Sequence, residues 1–411
     1  MSKGNNGRLG LLSFTEPDYM HSLNSPLYTL HFTLYSKLST KLLSLLALTS
    51  IPGIGSIRAR HLIQAFGSAQ AVLDAPAELL LQAGAVGQRV LEGRNNHQLI
   101  ERAKREIEFM EAHHIHPLVY GEEGYPQRLI DCPDAPTHLF QLGNTSLDAK
   151  HIVGIVGTRQ CSQYGRDNVQ RFVAELHEAL PDVIVVSGLA LGIDVEAHRA
   201  SLQSGAATVG VVAHGLDRIY PYQHRDVARQ MVQQGGAIVT EYLTGTQPER
   251  GNFLARNRII AGLCDAVLVA ESKEKGGSLV TASIATDYGR DVFAFPGRVT
   301  DDRSTGCNRL IRLNRAGLIT SAQDFMESMG WTDGVKRGPL GIQQSLNFVE
   351  DNLTPLGRQL LDILRDRGDL RLSQLTDILP NTERAALQEE LLDLEMNNHI
   401  RVTPTGLYQL R

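Results

Sequence analysis

Six short apolar runs, spaced so that a helix fits between each pair, constrain this chain more than any other feature. They are HIVGIV (151–156), VIVVSG (183–188), TVGVVAHG (208–215), GAIVTEY (236–242), AVLVAES (266–272) and DVFAFPG (291–297). Each is continuous rather than alternating, the pattern of a strand buried on both faces of a parallel sheet. The segments between and after them predict helices over Tyr164–Leu180, Asp194–Ser204, His224–Gln234, Phe253–Leu263, Leu279–Tyr288 and Cys307–Ala316. Strand–helix alternation with right-handed crossovers predicts an α/β fold built on a doubly wound parallel sheet. Small or basic residues stand where the strands end, and such sheets bind phosphate at those ends.

The flanks read as attachments to this core. Residues 1–36 are polar and rich in Gly, Asn and Ser; they are expected to be disordered or to precede a true start at Met20. Residues 37–115 read as a helical domain. Within it, Ile51-Pro52-Gly53-Ile54-Gly55 before a helix at Ser56–Ala65 has the form of a helix-hairpin-helix turn. Its glycines would let backbone approach a phosphate, with charge from Arg58 and Arg60. A tight helix turn with no ligand accounts for the same residues. Helices are expected to continue over Ala75–Leu91 and Asn96–His113. A bridge at 116–150 contains the strand-like THLFQLG (137–143), placed at an edge of the main sheet, so that the core domain covers 116–331. A linker is expected at 332–353. The remainder, 354–411, predicts helices at Pro355–Arg367, Leu372–Leu379 and Glu383–Asn397, then a hairpin turning at Pro404-Thr405-Gly406. Three helices and a two-stranded wing describe a winged helix.

Composition narrows the function classes. With 411 residues and a formal net charge of -5, the chain is not a uniformly basic nucleic-acid binder, so any polyanion site must be a local cluster. Cys132, Cys161, Cys264 and Cys307 form no CxxC pair. That argues against a zinc site or a disulfide framework and for a reduced, cytoplasmic setting. No apolar run approaches the ~20 residues of a membrane span, and no signal peptide is expected.

Four loops carry the candidate chemistry. Gly157-Thr158-Arg159 ends the first strand: glycine leaves room, threonine offers a hydroxyl, and the guanidinium can bind phosphate bidentately. Ser162 is placed to cap the following helix. Ser187 and Gly188 open the loop after the second strand; Asp194 is read as a cap of the next helix, and His198 is left without a role. The run Arg250 to Arg258 is the densest basic stretch of the core, with Phe253 among Arg250, Arg256, Asn257 and Arg258. Arginines on phosphates and an aromatic face under a base suit a single strand better than a duplex. An amphipathic helix with solvated arginines and a core phenylalanine fits the same pattern. Lys275, Gly277 and Ser278 form a phosphate nest at a helix start. Neither a Walker A loop nor a GxGxxG fingerprint is complete, so no nucleotide cofactor is expected, and no metal site or catalytic residue is assigned.

Taken together, these residues resemble the DprA (Smf) DNA-processing family. The matching pieces are GTR (157–159), SGLALGID-AH (187–198), GLD-IYP (215–221), TEY (240–242), FLARNRIIAGL (253–263), GGSLVTA (276–282), FAFPG (293–297) and GCNRLI (306–311), in the family's order. The helical N-terminal segment, of helix-hairpin-helix or SAM-like type, and the C-terminal winged helix also match a common plan of that family. The resemblance implies an extended Rossmann-like core and a cytoplasmic homodimer formed through it. It implies a protein that binds single-stranded DNA, protects incoming DNA and loads RecA recombinase onto it during natural transformation, with single-strand-binding protein as a further partner. It puts Arg159 on phosphate, Arg250 and Phe253 on phosphate and base, and Gly277 and Ser278 in the same pocket. Leu191, Leu243 and Leu254 depart from the family's usual residues, a basic residue and two prolines.

Two rivals come from other classes. A nucleotide phosphoribohydrolase of the lonely-guy type would place a PGGxGTxxE loop at Gly276–Ala282, but no carboxylate follows in Ala282 to Thr286 to do the acid–base work. A transcription factor would read duplex DNA with the helix at Asn381–Asn397. That helix carries Glu383, Glu389, Glu390, Asp393 and Glu395 against Arg384 alone, a face that repels phosphate.

Overall fold

A computed structural model of the chain describes residues 40–82, 90–91, 97–332, 354–380, 382, 384–397, 399–403 and 407–410. The expectations for 1–36, for all but the first residue of the linker, and for the turn at Pro404-Thr405-Gly406 lie outside these. The chain divides into two compact units, residues 1–335 and 336–411.

The first unit is built on a nine-stranded sheet. Its strands are β1 (Ile115–Val119), β2 (His138–Gly143), β3 (Ile152–Gly157), β4 (Ile184–Ser187), β5 (Thr208–Val211), β6 (Ala237–Thr240), β7 (Ala266–Glu271), β8 (Asp291–Ala294) and β9 (Gly317–Leu318). Their order is β1-β2-β6-β5-β4-β3-β7-β8-β9. From β6 to β9 every pairing is parallel; β1 with β2 and β2 with β6 are antiparallel. All six expected apolar runs are strands of this sheet. Their continuous hydrophobicity has a simple cause. On β3, Ile152 and Val156 join the core on one face while Val153 and Ile155 join the core on the other. On β7, Val267 and Val269 alternate in the same way with Ala266, Leu268 and Ala270. Each fully buried aliphatic side chain of this kind contributes about 1.5–3 kcal/mol.

Helices cover both faces. Arg250–Leu263 and Gly277–Asp287 pack Ile259, Ile260, Leu263, Ala282 and Ala285 on one side. On the other, Gln163–Ala179 packs Val169, Phe172, Val173 and Leu176, and Ile193–Gln203 packs Ile193, Ala197 and Ala200. The helix expected to run to Ala316 stops earlier, at Thr305–Arg312, because Asn314 turns to a positive φ of 52° and the chain enters β9. THLFQLG lies one strand inside the edge rather than on it. The edge is β1, which sequence reading missed because Pro117 interrupts its apolar run. Proline is tolerated there because an edge strand leaves one side of its ladder unpaired.

The N-terminal helical segment belongs to this same compact unit. A helix at 40–49 and the helix His97–Ala112 pack Leu42, Leu46, Ala103 and Met110 against Ile115 of β1 and Phe140 of β2. Buried Glu106 accepts hydrogen bonds from the Thr244 amide at 3.0 Å and its hydroxyl at 2.7 Å. Of the helix expected over Ala75–Leu91, the described part is Ala77–Gln82 and residues 90–91.

The second unit has helices Pro355–Arg367, Leu372–Ile378 and Arg384–Met396 around a leucine core. Its strand pair Ile400–Val402 and Leu407–Leu410 is joined by a third short strand, Leu370–Arg371, which the sequence pattern did not indicate. Among the described residues, no helix is long and apolar enough to cross a membrane.

Candidate nucleic-acid interface

The sheet reverses its direction of growth at β3. From β3 the chain steps outward through β4, β5 and β6, then returns to place β7 on the other side of β3. In open α/β sheets the crevice beyond the strand ends at such a switch point is where ligands bind. Here it holds a cavity of about 730 Å³.

Three loops and one helix start build it. The turn after β3 is fixed to β7 by the Thr158 amide, which donates to the Glu271 carbonyl at 2.7 Å. The loop after β4 folds onto that turn, with the Ile193 amide donating to the Thr158 carbonyl at 3.2 Å. Two glycines permit this contact. Gly157 has no room for a Cβ beside Ile193, and Gly192, at a φ of 79°, lies directly on the Thr158 carbonyl. The loop after β7 contributes Lys273, Lys275, Gly276, Gly277 and Ser278. The helix Arg250–Leu263 enters over the crevice with Arg250, Phe253 and Asn257 toward it.

Charge in the cavity is one-sided. Arg159, Arg250, Lys273 and Lys275 line it and are exposed, and none takes part in an ion pair among the described residues. Two helices begin at the cavity with no side-chain cap on their first amides, at Glu249 and at Gly276. Free amides and helix dipoles of this kind attract anions. Among the described residues, the one carboxylate lining the cavity is that of Asp194, which is buried near the Arg256 guanidinium. Burial pushes its carboxyl above the ordinary range, and the Arg256 guanidinium, with the nearby Ala190 and Gly188 amides, opposes that shift.

Phe253 stands half-buried amid this charge. Its ring centroid lies 5.1 Å from the Arg159 guanidinium and 5.9 Å from that of Arg256. The Tyr220 ring is tilted against it, with centroids 5.9 Å apart and 52° between the ring planes. The Phe253 ring is partly exposed rather than locked in the core.

The remaining sequence-derived candidates have other positions. Arg256 lines the floor but is buried, donating to the Gly188 carbonyl at 2.7 Å and to the Val211 carbonyl. Burial lowers its pKa to about 10. Gly188 is thus a contact of Arg256 rather than a lining residue. Ser187 is buried and donates to the Ile155 carbonyl at 2.6 Å. Ser162 caps the helix Gln163–Ala179 by accepting from the Gly165 amide at 3.0 Å. Ser278 lines the cavity, with its hydroxyl donating to Ser272 Oγ at 2.9 Å. Arg258 faces away from the cavity: it pairs with Glu241 and donates to the Asp134 carbonyl at 2.8 Å. Asp194 is not a helix cap as expected; Gly192 holds that position. His198 is fully buried, hydrogen-bonded to Thr208 Oγ1 at 2.9 Å, and burial lowers its pKa to about 3. Lys273 was not singled out from sequence; its place two residues beyond the end of β7 was the available signal.

The sequence model of the DNA recombination-mediator protein A family matches residues 116–330. The DNA processing protein DprA of Streptococcus pneumoniae is 43% identical over 205 residues, covering 50% of this chain and 71% of that protein. Protein Smf of Escherichia coli is 31% identical over 378 residues, covering 90% of this chain and 95% of that protein. The X-ray structure of DprA from Streptococcus pneumoniae superposes with a TM-score of 0.53 at 31% identity, covering 71% of this chain and 97% of that one.

Proposed function

This chain belongs to the DNA recombination-mediator protein A family, and we propose that its crevice holds single-stranded DNA. Arg159, Arg250, Lys273 and Lys275 take the phosphates, the open amides at Gly277 and Ser278 help to seat one of them, and Phe253 lies under a base. The observation that carries this reading is the convergence of four unpaired cations and an accessible aromatic ring on one cavity. Unneutralised cations gain by releasing counterions from a polyanion, and a ring face accepts any unpaired base.

The wider role follows the family. The protein protects incoming DNA and loads RecA recombinase onto it during natural transformation, in the cytoplasm, as a homodimer formed through the core and in company with single-strand-binding protein. It acts by holding a strand rather than by catalysis. The segments 37–115, 116–331 and 354–411 serve as three functional domains, and the acidic third helix of the last of these favours a protein partner over duplex DNA. Removing residues 345–411 leaves single-strand affinity nearly intact on this reading; a large loss would refute that assignment.

The deciding experiment is a salt-titrated comparison of single-stranded and duplex oligonucleotides of equal length. The single strand binds tighter, and its log K falls linearly with log salt by about 0.7 per phosphate contact. Equal or tighter binding of the duplex overturns the proposal. The phosphoribohydrolase alternative predicts base release from nucleoside monophosphates above background.

A further inference from the structure

The mouth of the pocket has an unusual border for a site lined with cations. Leu254 and Val280 line the cavity yet remain 46% and 40% exposed, and Tyr220, beside Phe253, is 47% exposed. Exposed apolar residues are ordinary when scattered. Here they border the cavity that carries four cations outside any ion pair among the described residues.

Tyr220 is also held in place. Its backbone amide donates to His214 Nε2 at 3.2 Å, and His214 Nδ1 lies 2.9 Å from the Gly215 carbonyl. Burial lowers the His214 pKa, which keeps Nε2 free to accept. The loop carrying Tyr220 is tied to the loop that leads into Arg250. Arg218 donates to Gln247 Oε1 at 2.7 Å, and the Gly245 amide donates to Asp217 Oδ1 at 2.9 Å. A large exposed ring on a braced loop has little conformational entropy left to lose when something stacks on it.

We propose that Tyr220 is a second base platform beside Phe253, so that the strand crosses the rim with successive nucleobases on the two rings and its phosphates in the pocket. This rests on the pocket holding single-stranded DNA. The ring geometry sets what the pair can do. A base sandwiched between two parallel rings needs them about 7 Å apart, twice the ~3.5 Å contact distance. Centroids at 5.9 Å and planes at 52° do not provide that slot. They provide two adjacent faces inclined to each other. Bases resting on both are unstacked from one another, which an intact duplex cannot supply. The rim thus selects unpaired strands of any sequence, because every base has a π-face.

The test uses the full chain and two probes at one salt concentration: an oligothymidylate and an abasic phosphodiester strand of the same length. Tyr220→Ala weakens oligothymidylate binding by about 5- to 100-fold and leaves the abasic strand unchanged. Tyr220→Leu, which keeps apolar bulk on the loop without a ring, loses as much as Tyr220→Ala, whereas Tyr220→Phe binds like wild type. The proposal is overturned if Tyr220→Ala weakens both probes equally or neither, or if Tyr220→Leu retains wild-type affinity. Failure of the pocket itself looks different: the wild-type chain then binds neither probe.

Discussion

The helix Arg250–Leu263 borders two clefts, and they differ in how their arginines are used. On the sheet-end side, Arg250 and its neighbours Arg159, Lys273 and Lys275 are exposed and without ion pairs among the described residues. On the other side a cleft of about 640 Å³ runs from Gly53 to Ser56 of the N-terminal hairpin to Arg258. There Arg258 is matched by Glu241 and Asp134, and Arg58 turns back onto the Gly53 carbonyl. Both clefts have glycines, a helix start and arginines. Among the described residues the first carries four cations outside any ion pair, and the second carries one, Arg58, whose guanidinium is turned onto a backbone carbonyl. Counting basic residues therefore does not find an anion site; counting unneutralised ones does.

Mutations sharpen the contrast. The largest effect is expected at Arg256, whose loss leaves Asp194 buried without its cation and two carbonyls without a donor. Arg256→Ala lowers folding stability by roughly 3–5 kcal/mol, read from denaturant unfolding. Wild-type stability with lost DNA binding would instead make Arg256 a ligand contact. Arg258→Ala comes next. It strands the Glu241 carboxylate, whose pKa burial already raises against the pull of Arg258. A loss of roughly 1–3 kcal/mol in stability is expected, with the salt dependence of single-strand binding unchanged. A flattened salt dependence would erase the distinction between the two clefts. Phe253→Ala is expected to leave the unfolding midpoint near wild type and to weaken single-strand binding by about 1–3 kcal/mol in a titration. The smallest effects belong to Arg159→Ala and Arg250→Ala, each taking about 0.7 off the slope of log K against log salt. If neither changes that slope, the phosphates lie elsewhere.

Much of the core was legible because its signals are local. A strand buried on both faces must be apolar at consecutive positions, and each of the six runs shows this. Loops at strand ends must be small or polar, which is how Gly157-Thr158-Arg159 and Gly276-Gly277-Ser278 stood out. β1 was hidden by Pro117, and β9 by being two residues long. Ser162 could be placed as a cap because an N-cap bonds within three residues of itself.

The sequence alone determined the layers of the fold, the crevice to which the loops converge, and the residue types available there. Tertiary structure decided which arginines remain free. Arg256 meets Gly188 from 68 positions away and Arg258 meets Asp134 from 124 positions away. Periodicity reports burial along one element, but charge is neutralised by partners that only the folded chain brings within reach.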